Sequence, residues 1–217
     1  MDFQTLVDTD AVDIKIEHDE AVMMLGSCFA EDVGNLLKRS MLALCINPFG
    51  TLYNPRSIAQ SLRRLMADLP FSADELVAYG NLWHSMSHHS RFSSVDKDRA
   101  LQKINAAYAE GVACLRSARH LIVTFGTAYT FSTADGETVA NCHKMPASMF
   151  NRRMLSANEI ADEWIPLIDD IRKFNPHIDI TFTVSPVRHL ADGAHGNQLS
   201  KSTLLRVISG LTEFTSG

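Results

Sequence analysis

Short apolar runs alternate along the chain with stretches of helical period. Four runs of six or seven residues are each followed by turn-forming residues, at positions 20–25, 41–46, 120–125 and 178–184. Between them, apolar residues recur at offsets of three and four, which is the spacing of an amphipathic helix. Parallel strands are normally joined by a helical crossover, so this order predicts an α/β fold with helices on both faces of a parallel sheet. The last helix is predicted to be capped near Ser200.

Three features interrupt this alternation. Residues 70–95 show no clean period, and a segment of this length inside a compact domain is more often functional than idle. The Asp135-Gly136 pair lies between two short β-prone runs and predicts a hairpin at the edge of the sheet. Pro166 lies inside an otherwise helical pattern and predicts a kink.

Composition places the chain among globular proteins with one domain over residues 1–217. Of its 217 residues, 46% are hydrophobic and 21% are charged, and the net charge is −5 without a basic run. Phosphate-backbone binding needs a basic face, so we expect no nucleic-acid partner. The apolar runs are shorter than the ~18 residues of a membrane span, and the first eight residues are acidic rather than signal-like, so we expect a cytoplasmic protein without membrane attachment.

The four cysteines show no Cys-x-x-Cys spacing, which is typical of free thiols in a reducing compartment. The sequence carries no indication of the oligomeric state.

Four segments are predicted to meet at the carboxyl ends of the strands, where open α/β sheets bind their ligands. They are residues 26–28, 47–53, 126–127 and 185–189. Ser27 lies at the turn between the first strand and the first helix, where an exposed hydroxyl and the helix N-terminus suit a nucleophile. The alternative is that Ser27 only caps the helix.

Residues 26–30 read Gly-Ser-Cys-Phe-Ala, and further blocks stand at 47–55, 83–89, 139–144 and 185–189. In these motifs the chain resembles the GSCFA family of the SGNH hydrolase superfamily over about residues 20–210. The resemblance implies a three-layer, flavodoxin-like or SGNH-hydrolase-like sandwich. It also implies a serine esterase without a cofactor that acts on a small acyl ester, for example one carried by a carbohydrate.

The resemblance also implies roles for single residues. Ser27 matches the nucleophile, and Gly50 best matches the oxyanion glycine, so the N–H groups of these two residues are expected to stabilise the oxyanion. The superfamily has Gly-x-Asn-Asp in its third block, whereas this chain continues from Gly126 with Thr-Ala-Tyr. Thr127 or Asn141 would therefore have to replace the asparagine.

The general base is less clearly marked. The superfamily's Asp-x-x-His block follows a fifth strand, and this chain reaches Gly217 without an obvious one, which predicts that the last strand and helix are missing. An Asp-x-x-His string occurs earlier, at Asp192 and His195, and is a candidate for the base. A serine without a histidine within hydrogen-bond reach is not activated at neutral pH, so a base that lies beyond Gly217 would leave these 217 residues slow or inactive as an esterase. The alternative function is a binding module that recognises a carbohydrate or another ligand without hydrolysing it.

Four residues are predicted to contact the substrate: His84, His143, Arg188 and His189. Arg188 and His189 follow a strand and a Ser-Pro turn, where a cationic pair would bind an acidic or acetylated group. For Arg188 a surface ion pair is an equal alternative.

A metal site on the clustered histidines was the third possibility. His84 and His88 are four residues apart, with His89 adjacent, so one helical turn would bring them onto a common face. No cysteine or carboxylate stands at a matching spacing, so loop packing and hydrogen bonding are favoured, and no metal is predicted.

Overall fold

A computed structural model describes residues 15–215 of the chain and the side chains of residues 15–212. The acidic N-terminus at residues 1–8, which entered the prediction of localisation, lies outside the described residues, as does Gly217. In chain order the strands are β1 (Ala21–Gly26), β2 (Ala43–Ile46), β3 (Leu76–Tyr79), β4 (Leu82–Ser85), β5 (His120–Phe125), β6 (Tyr129–Ser132), β7 (Thr138–Val139), β8 (Asn151–Met154) and β9 (Asp179–Val184). The helices are α1 (Cys28–Arg39), α2 (Pro55–Ala67), α3 (Lys97–Ser117), α4 (Ala157–Phe174) and α5 (Gly193–Thr215).

The central sheet has four parallel strands in the order β2-β1-β5-β9. Helices flank this sheet, as a three-layer α/β sandwich requires. The four strands coincide with the four apolar runs of the sequence, so the predicted α/β fold with a parallel sheet is confirmed. Because crossover connections join parallel strands, the carboxyl ends of all four strands lie at one edge of the sheet.

The two faces of the sheet pack against different helices. Met23 and Leu25 belong to the main hydrophobic core, to which α2, α3 and α4 contribute. In that core the Trp164 ring of α4 lies edge-on to Phe125 and Phe182, with centroid distances of 5.1 and 5.3 Å. Neighbouring residues of a strand point to opposite faces, so Met24 meets α1 on the other side.

Two small antiparallel sheets extend the domain. β3 and β4 form a hairpin inside the segment that showed no period, and β7-β6-β8 form a three-stranded sheet. The hairpin predicted at Asp135-Gly136 is confirmed, since β6 pairs with β7 across a turn in which Gly136 has a φ of +87°. β8 was not predicted, because its sequence Asn-Arg-Arg-Met is mostly polar and exposed.

The last helix begins earlier than predicted. α5 starts at Gly193 rather than near Ser200. The sequence did not predict this start, because residues 193–199 contain two glycines and no apolar period that would indicate a helix. α4 continues from residue 157 to 174 with Pro166 inside it. Among residues 15–215, no helix is both long enough and apolar enough to span a membrane.

Candidate functional site

The turn after β1 is held by its neighbours in the sheet. The Gly26 N–H donates to Oδ1 of Asn47 over 2.8 Å, and the Gly26 carbonyl accepts from the Leu52 N–H over 2.9 Å. The N–H of Ser27 donates to the Thr124 carbonyl of β5 over 3.2 Å. Three hydrogen bonds from two chain segments, the loop after β2 and strand β5, therefore fix the backbone at Ser27.

Ser27 stands at the N-cap position of α1, but its side chain makes no capping hydrogen bond. The alternative that Ser27 serves as a side-chain cap is therefore not supported. The residue is 1% exposed, and its Oγ is buried without a hydrogen-bond partner among the described residues. The prediction of an exposed hydroxyl is wrong, because Gly126 and Tyr53 pack closely over this turn. A Cβ placed on Gly126 would lie 3.2 Å from the Ser27 Cβ and 3.1 Å from the Tyr53 carbonyl oxygen.

A cavity of about 670 Å³ opens beside this turn at the carboxyl edge of the sheet. It is lined by residues that follow β1, β2, β5 and β9 together with residues of the three-stranded sheet, among them Cys28, Tyr53, Thr127, Tyr129, Arg152, His189 and Asp192. The predicted convergence of these loops is therefore observed.

His189 is the one predicted substrate contact that lines this cavity. Its ring lies edge-on to Tyr53 at a centroid distance of 5.9 Å, and its backbone N–H donates to Oδ1 of Asn197 over 3.0 Å. Burial and the nearby Lys201 ammonium lower the pKa of His189, while Asp192 and the Gly126 backbone act in the opposite direction. A lowered pKa favours the neutral ring, which is the form that accepts a proton.

The sequence interpretation missed Lys201, which connects two strand ends. Its Nζ donates to the carbonyl oxygens of Gly126 over 2.6 Å and Ser185 over 2.7 Å. Burial lowers its pKa, and the Cys28 thiol partly offsets this shift. The sequence predicts a helix cap near Ser200, whereas both Ser200 and Lys201 lie within α5, so sequence alone gives Lys201 no link to the strand ends.

Ser200 itself contacts the loop after β5. Its Oγ accepts from the Ala128 N–H over 2.8 Å and lies 3.1 Å from Oγ1 of Thr127. α5 therefore fixes one wall of the cavity through two consecutive polar residues.

Asp192 and His195 are not joined by a hydrogen bond in the part of the chain that the structure describes. The Asp192 carboxylate, whose side chain is 6% exposed, forms an ion pair with Arg152, and the Arg152 guanidinium lies 3.8 Å from the centre of the Tyr129 ring. His195 is exposed in the first turn of α5. Asp192 lines the cavity, whereas His195 does not.

The predicted oxyanion donors are largely engaged within the protein. Besides the Ser27 N–H, the Gly50 N–H donates to the Asn47 carbonyl over 2.7 Å, and the Thr127 N–H donates to Tyr53 over 2.9 Å. Oδ1 of Asn141 accepts from the His143 N–H over 2.8 Å. Of the three residues named for this role besides Ser27, Thr127 alone lines the cavity.

Two other predicted substrate contacts, His84 and His143, lie together at the β3–β4 hairpin, and neither lines the cavity. The rings of His84 and His143 are 4.5 Å apart, and Nε2 of His143 lies 2.8 Å from the Ser85 carbonyl oxygen. Nδ1 of His84 lies 2.7 Å from Oγ of Ser93. Arg188 is exposed. The substrate roles of His84, His143 and Arg188 remain predictions.

The histidines at 84, 88 and 89 have separate surroundings. Nδ1 of His88 lies 2.8 Å from Oγ of Ser85, and Nδ1 of His89 accepts from the Arg91 N–H over 3.3 Å. Within residues 15–215, no three His, Cys, Asp or Glu side chains are grouped so that they would hold a metal ion.

Comparison with known proteins gives one positive result. No curated protein and no solved structure matches the chain significantly. The model of the GSCFA family matches residues 21–216, which is most of the sequence, and the chain therefore belongs to the GSCFA family.

Proposed function

We propose that this protein is an SGNH-like serine hydrolase that cleaves a small acyl ester, with Ser27 as its nucleophile. The observation that supports this proposal is a serine hydroxyl that has no partner among the described residues, placed where β1 turns into α1, beside a cavity of about 670 Å³. Buried hydroxyl groups normally have a hydrogen-bond partner, so an unpaired one at such a turn favours a role with a ligand.

In the proposed reaction, Oγ of Ser27 attacks the carbonyl carbon of the ester and forms an acyl-enzyme as the alcohol leaves. Water then hydrolyses the acyl-enzyme. Because Ser27 is 1% exposed, the residues packed over it must shift when substrate binds. The same shift would release N–H groups that are engaged within the protein, and such donors stabilise the oxyanion.

His189 is the base that the cavity supports best among the described histidines. It lines the same cavity as Cys28 and Thr127, and its lowered pKa keeps the ring neutral at pH 7. His195 is exposed and Asp192 is paired with Arg152. The Asp192–His195 pair is therefore a weaker candidate for the base than His189.

A carbohydrate- or ligand-binding module is the second candidate. The burial of Ser27 and its lack of a hydrogen-bonded histidine favour this alternative, because an unactivated serine is a poor nucleophile at neutral pH. The aromatic rings of Tyr53, Tyr129 and Phe131 along the cavity would suit the flat face of a sugar.

Substitution of the nucleophile separates the two functions. We expect the chain to hydrolyse p-nitrophenyl acetate and to be labelled on Ser27 by a fluorophosphonate, and Ser27→Ala to lower turnover at least ~100-fold. Ser61→Ala is the matched control, since Ser61 is a buried serine of α2 that bonds the Ile58 carbonyl and does not line the cavity. Hydrolysis that survives in Ser27→Ala, or an unlabelled Ser27, would favour the binding module.

The identity of the base is tested by two histidine substitutions. We expect His189→Gln to lower kcat at least ~100-fold, because it removes the proton acceptor in the cavity, and His195→Gln to have little effect. The dependence of kcat on pH should lose its lower inflection in His189→Gln only. A loss of turnover in His195→Gln alone would instead assign the base to the Asp192–His195 pair.

A further inference from the structure

Two cysteines meet at the outer strand of the central sheet. Cys45 lies on β2, in register with Met23 of the neighbouring strand β1. Cys114 lies on α3, with its Sγ 3.9 Å from the Val22 carbonyl oxygen of β1. Because α3 packs against β2 and both cysteines line the same cavity, two thiols distant in sequence lie beside each other.

The two thiols have different surroundings. The Cys114 sulfur accepts hydrogen bonds from the thiol and the backbone of Cys45, and these contacts lower the pKa of Cys114. The same thiol–thiol bond, together with burial and the Glu110 carboxylate, raises the pKa of Cys45, which the Lys38 ammonium offsets in part. Cys114 is therefore the thiol that ionises first, and the thiolate is the reactive form of cysteine.

Small molecules can reach this pair. Cys45 and Cys114 both line an open cavity of about 680 Å³ between α1 and α3, on the far side of β2 from β1. Cys28 and Cys142 do not line this cavity. All four cysteines are free thiols with partly buried side chains, so the two remaining cysteines serve as internal references.

We propose that Cys45 and Cys114 form a redox-active dithiol that a small peroxide converts to a disulfide. The Cys114 thiolate attacks one oxygen of hydrogen peroxide, which breaks the O–O bond, yields a sulfenic acid and releases hydroxide. The Cys45 sulfur then attacks the sulfenic sulfur, so that the S–S bond forms, and the thiol proton and the sulfenic hydroxyl group leave as water. The hydroxide from the first step takes up the proton that Cys114 lost on ionisation and gives the second water. In total, two thiols and one peroxide give one disulfide and two waters.

The disulfide would connect β2 covalently to α3. β2 leads directly to Asn47, whose side chain accepts from the Gly26 N–H at the turn that positions Ser27. Oxidation therefore acts on the strand next to the candidate site. The dithiol does not depend on the proposed hydrolase function, because it needs only that the two thiols lie beside each other in one cavity.

The test uses the unmodified 217-residue protein and hydrogen peroxide. After brief treatment with a small excess of peroxide, the remaining thiols are alkylated and the unreduced digest is examined by mass spectrometry. We expect a Cys45–Cys114 disulfide-linked peptide, alkylated Cys28 and Cys142, and recovery of four thiols after dithiothreitol. Alkylated Cys45 and Cys114 beside oxidised Cys28 or Cys142 would overturn the proposal, as would a disulfide between any other two cysteines.

Single substitutions test the order of the two steps. In Cys45→Ser, we expect the Cys114 sulfenic acid to persist and to be captured by dimedone, because the resolving thiol is missing. In Cys114→Ser, we expect Cys45 to remain reduced under the same treatment. Dimedone on Cys45 of Cys114→Ser, without any on Cys114 of Cys45→Ser, would contradict the assignment of Cys114 as the attacking thiol.

Discussion

Gly26→Ala is expected to abolish stable folding, although it adds a single methyl group. A Cβ at residue 26 would lie 2.1 Å from the Thr124 carbonyl oxygen and 2.8 Å from its carbonyl carbon, and both are backbone atoms of the central strand β5. The residue also has a φ of +136°, which L-residues rarely adopt. Relief of this contact would separate β1 from β5, and we expect a loss of roughly 4 kcal/mol or more in the free energy of unfolding.

Gly136→Ala is the control that measures how much stability is lost through the positive φ alone. Gly136 also has a positive φ, at +87°, but no heavy atom lies within 4 Å of the position of its Cβ. Its substitution should therefore cost roughly 1 kcal/mol of conformational strain alone. Urea denaturation of both variants, or the soluble yield where Gly26→Ala does not fold, measures the difference. Equal losses in the two variants would show that the contact with Thr124 is unimportant.

The central sheet could be predicted from sequence because β1 and β5 are mostly apolar, while β9 alternates threonine with apolar residues. Buried parallel strands read as continuous apolar runs, as residues 21–26 and 120–125 do. α2 could be predicted from its start, since Oδ1 of Asn54 accepts from the Ser57 N–H over 2.8 Å ahead of an apolar face. In these elements the structure that the local sequence favours is also the structure that packing in the fold requires.

The peripheral elements depend on tertiary contacts that no local pattern records. β8 is polar, and it is a strand because it pairs with β6. The first turns of α5 carry two glycines, yet they are helical where Asn197 bonds the His189 backbone. These segments take their structure from partners elsewhere in the chain.

The convergence of the loops at the carboxyl edge of the sheet could be predicted from sequence, but the surroundings of the candidate residues could not. The position of Ser27 followed from the strand-to-helix turn, whereas its burial results from Tyr53 and Gly126, which belong to other segments. The pairing of Asp192 with Arg152 likewise joins two residues whose separation in sequence is too large for spacing arguments. Ion pairs between residues that are distant in sequence therefore cannot be predicted from one sequence alone.

The pH dependence of stability should report on His88, which lies within an aromatic cluster. Its ring stacks on Phe49 at 4.7 Å and lies edge-on to Phe71 at 4.7 Å and Phe92 at 5.1 Å. The residue is fully buried, and Nε2 has no hydrogen-bond partner among the described residues. Burial, reinforced by the Arg64 guanidinium, lowers the pKa of His88 from 6.5 to about 3.

A lowered pKa means that the folded state holds the ring neutral while the unfolded chain binds a proton. Above pH 6.5 the ring is neutral in both states, so its full contribution to stability is present. Between pH 6.5 and about 3 the unfolded state binds more protons, and the free energy of unfolding falls by roughly 1 kcal/mol per pH unit. Below about pH 3 both states are protonated, and this loss is complete.

Urea denaturation at pH 7 and pH 4.5 tests this expectation against the double variant Ser85→Ala/His88→Phe. The variant removes the titrating ring together with its hydroxyl partner and keeps an aromatic ring in the cluster. It also removes the acceptor of the 3.4 Å bond from the Ser87 N–H, and this loss is the same at both pH values. Between the two pH values we expect the unmodified protein to lose roughly 2 to 3 kcal/mol more than the variant. His177→Gln, at an exposed histidine, should follow the unmodified protein. If the double variant loses as much stability as the unmodified protein, His88 does not control acid stability and its burial does not exclude the proton.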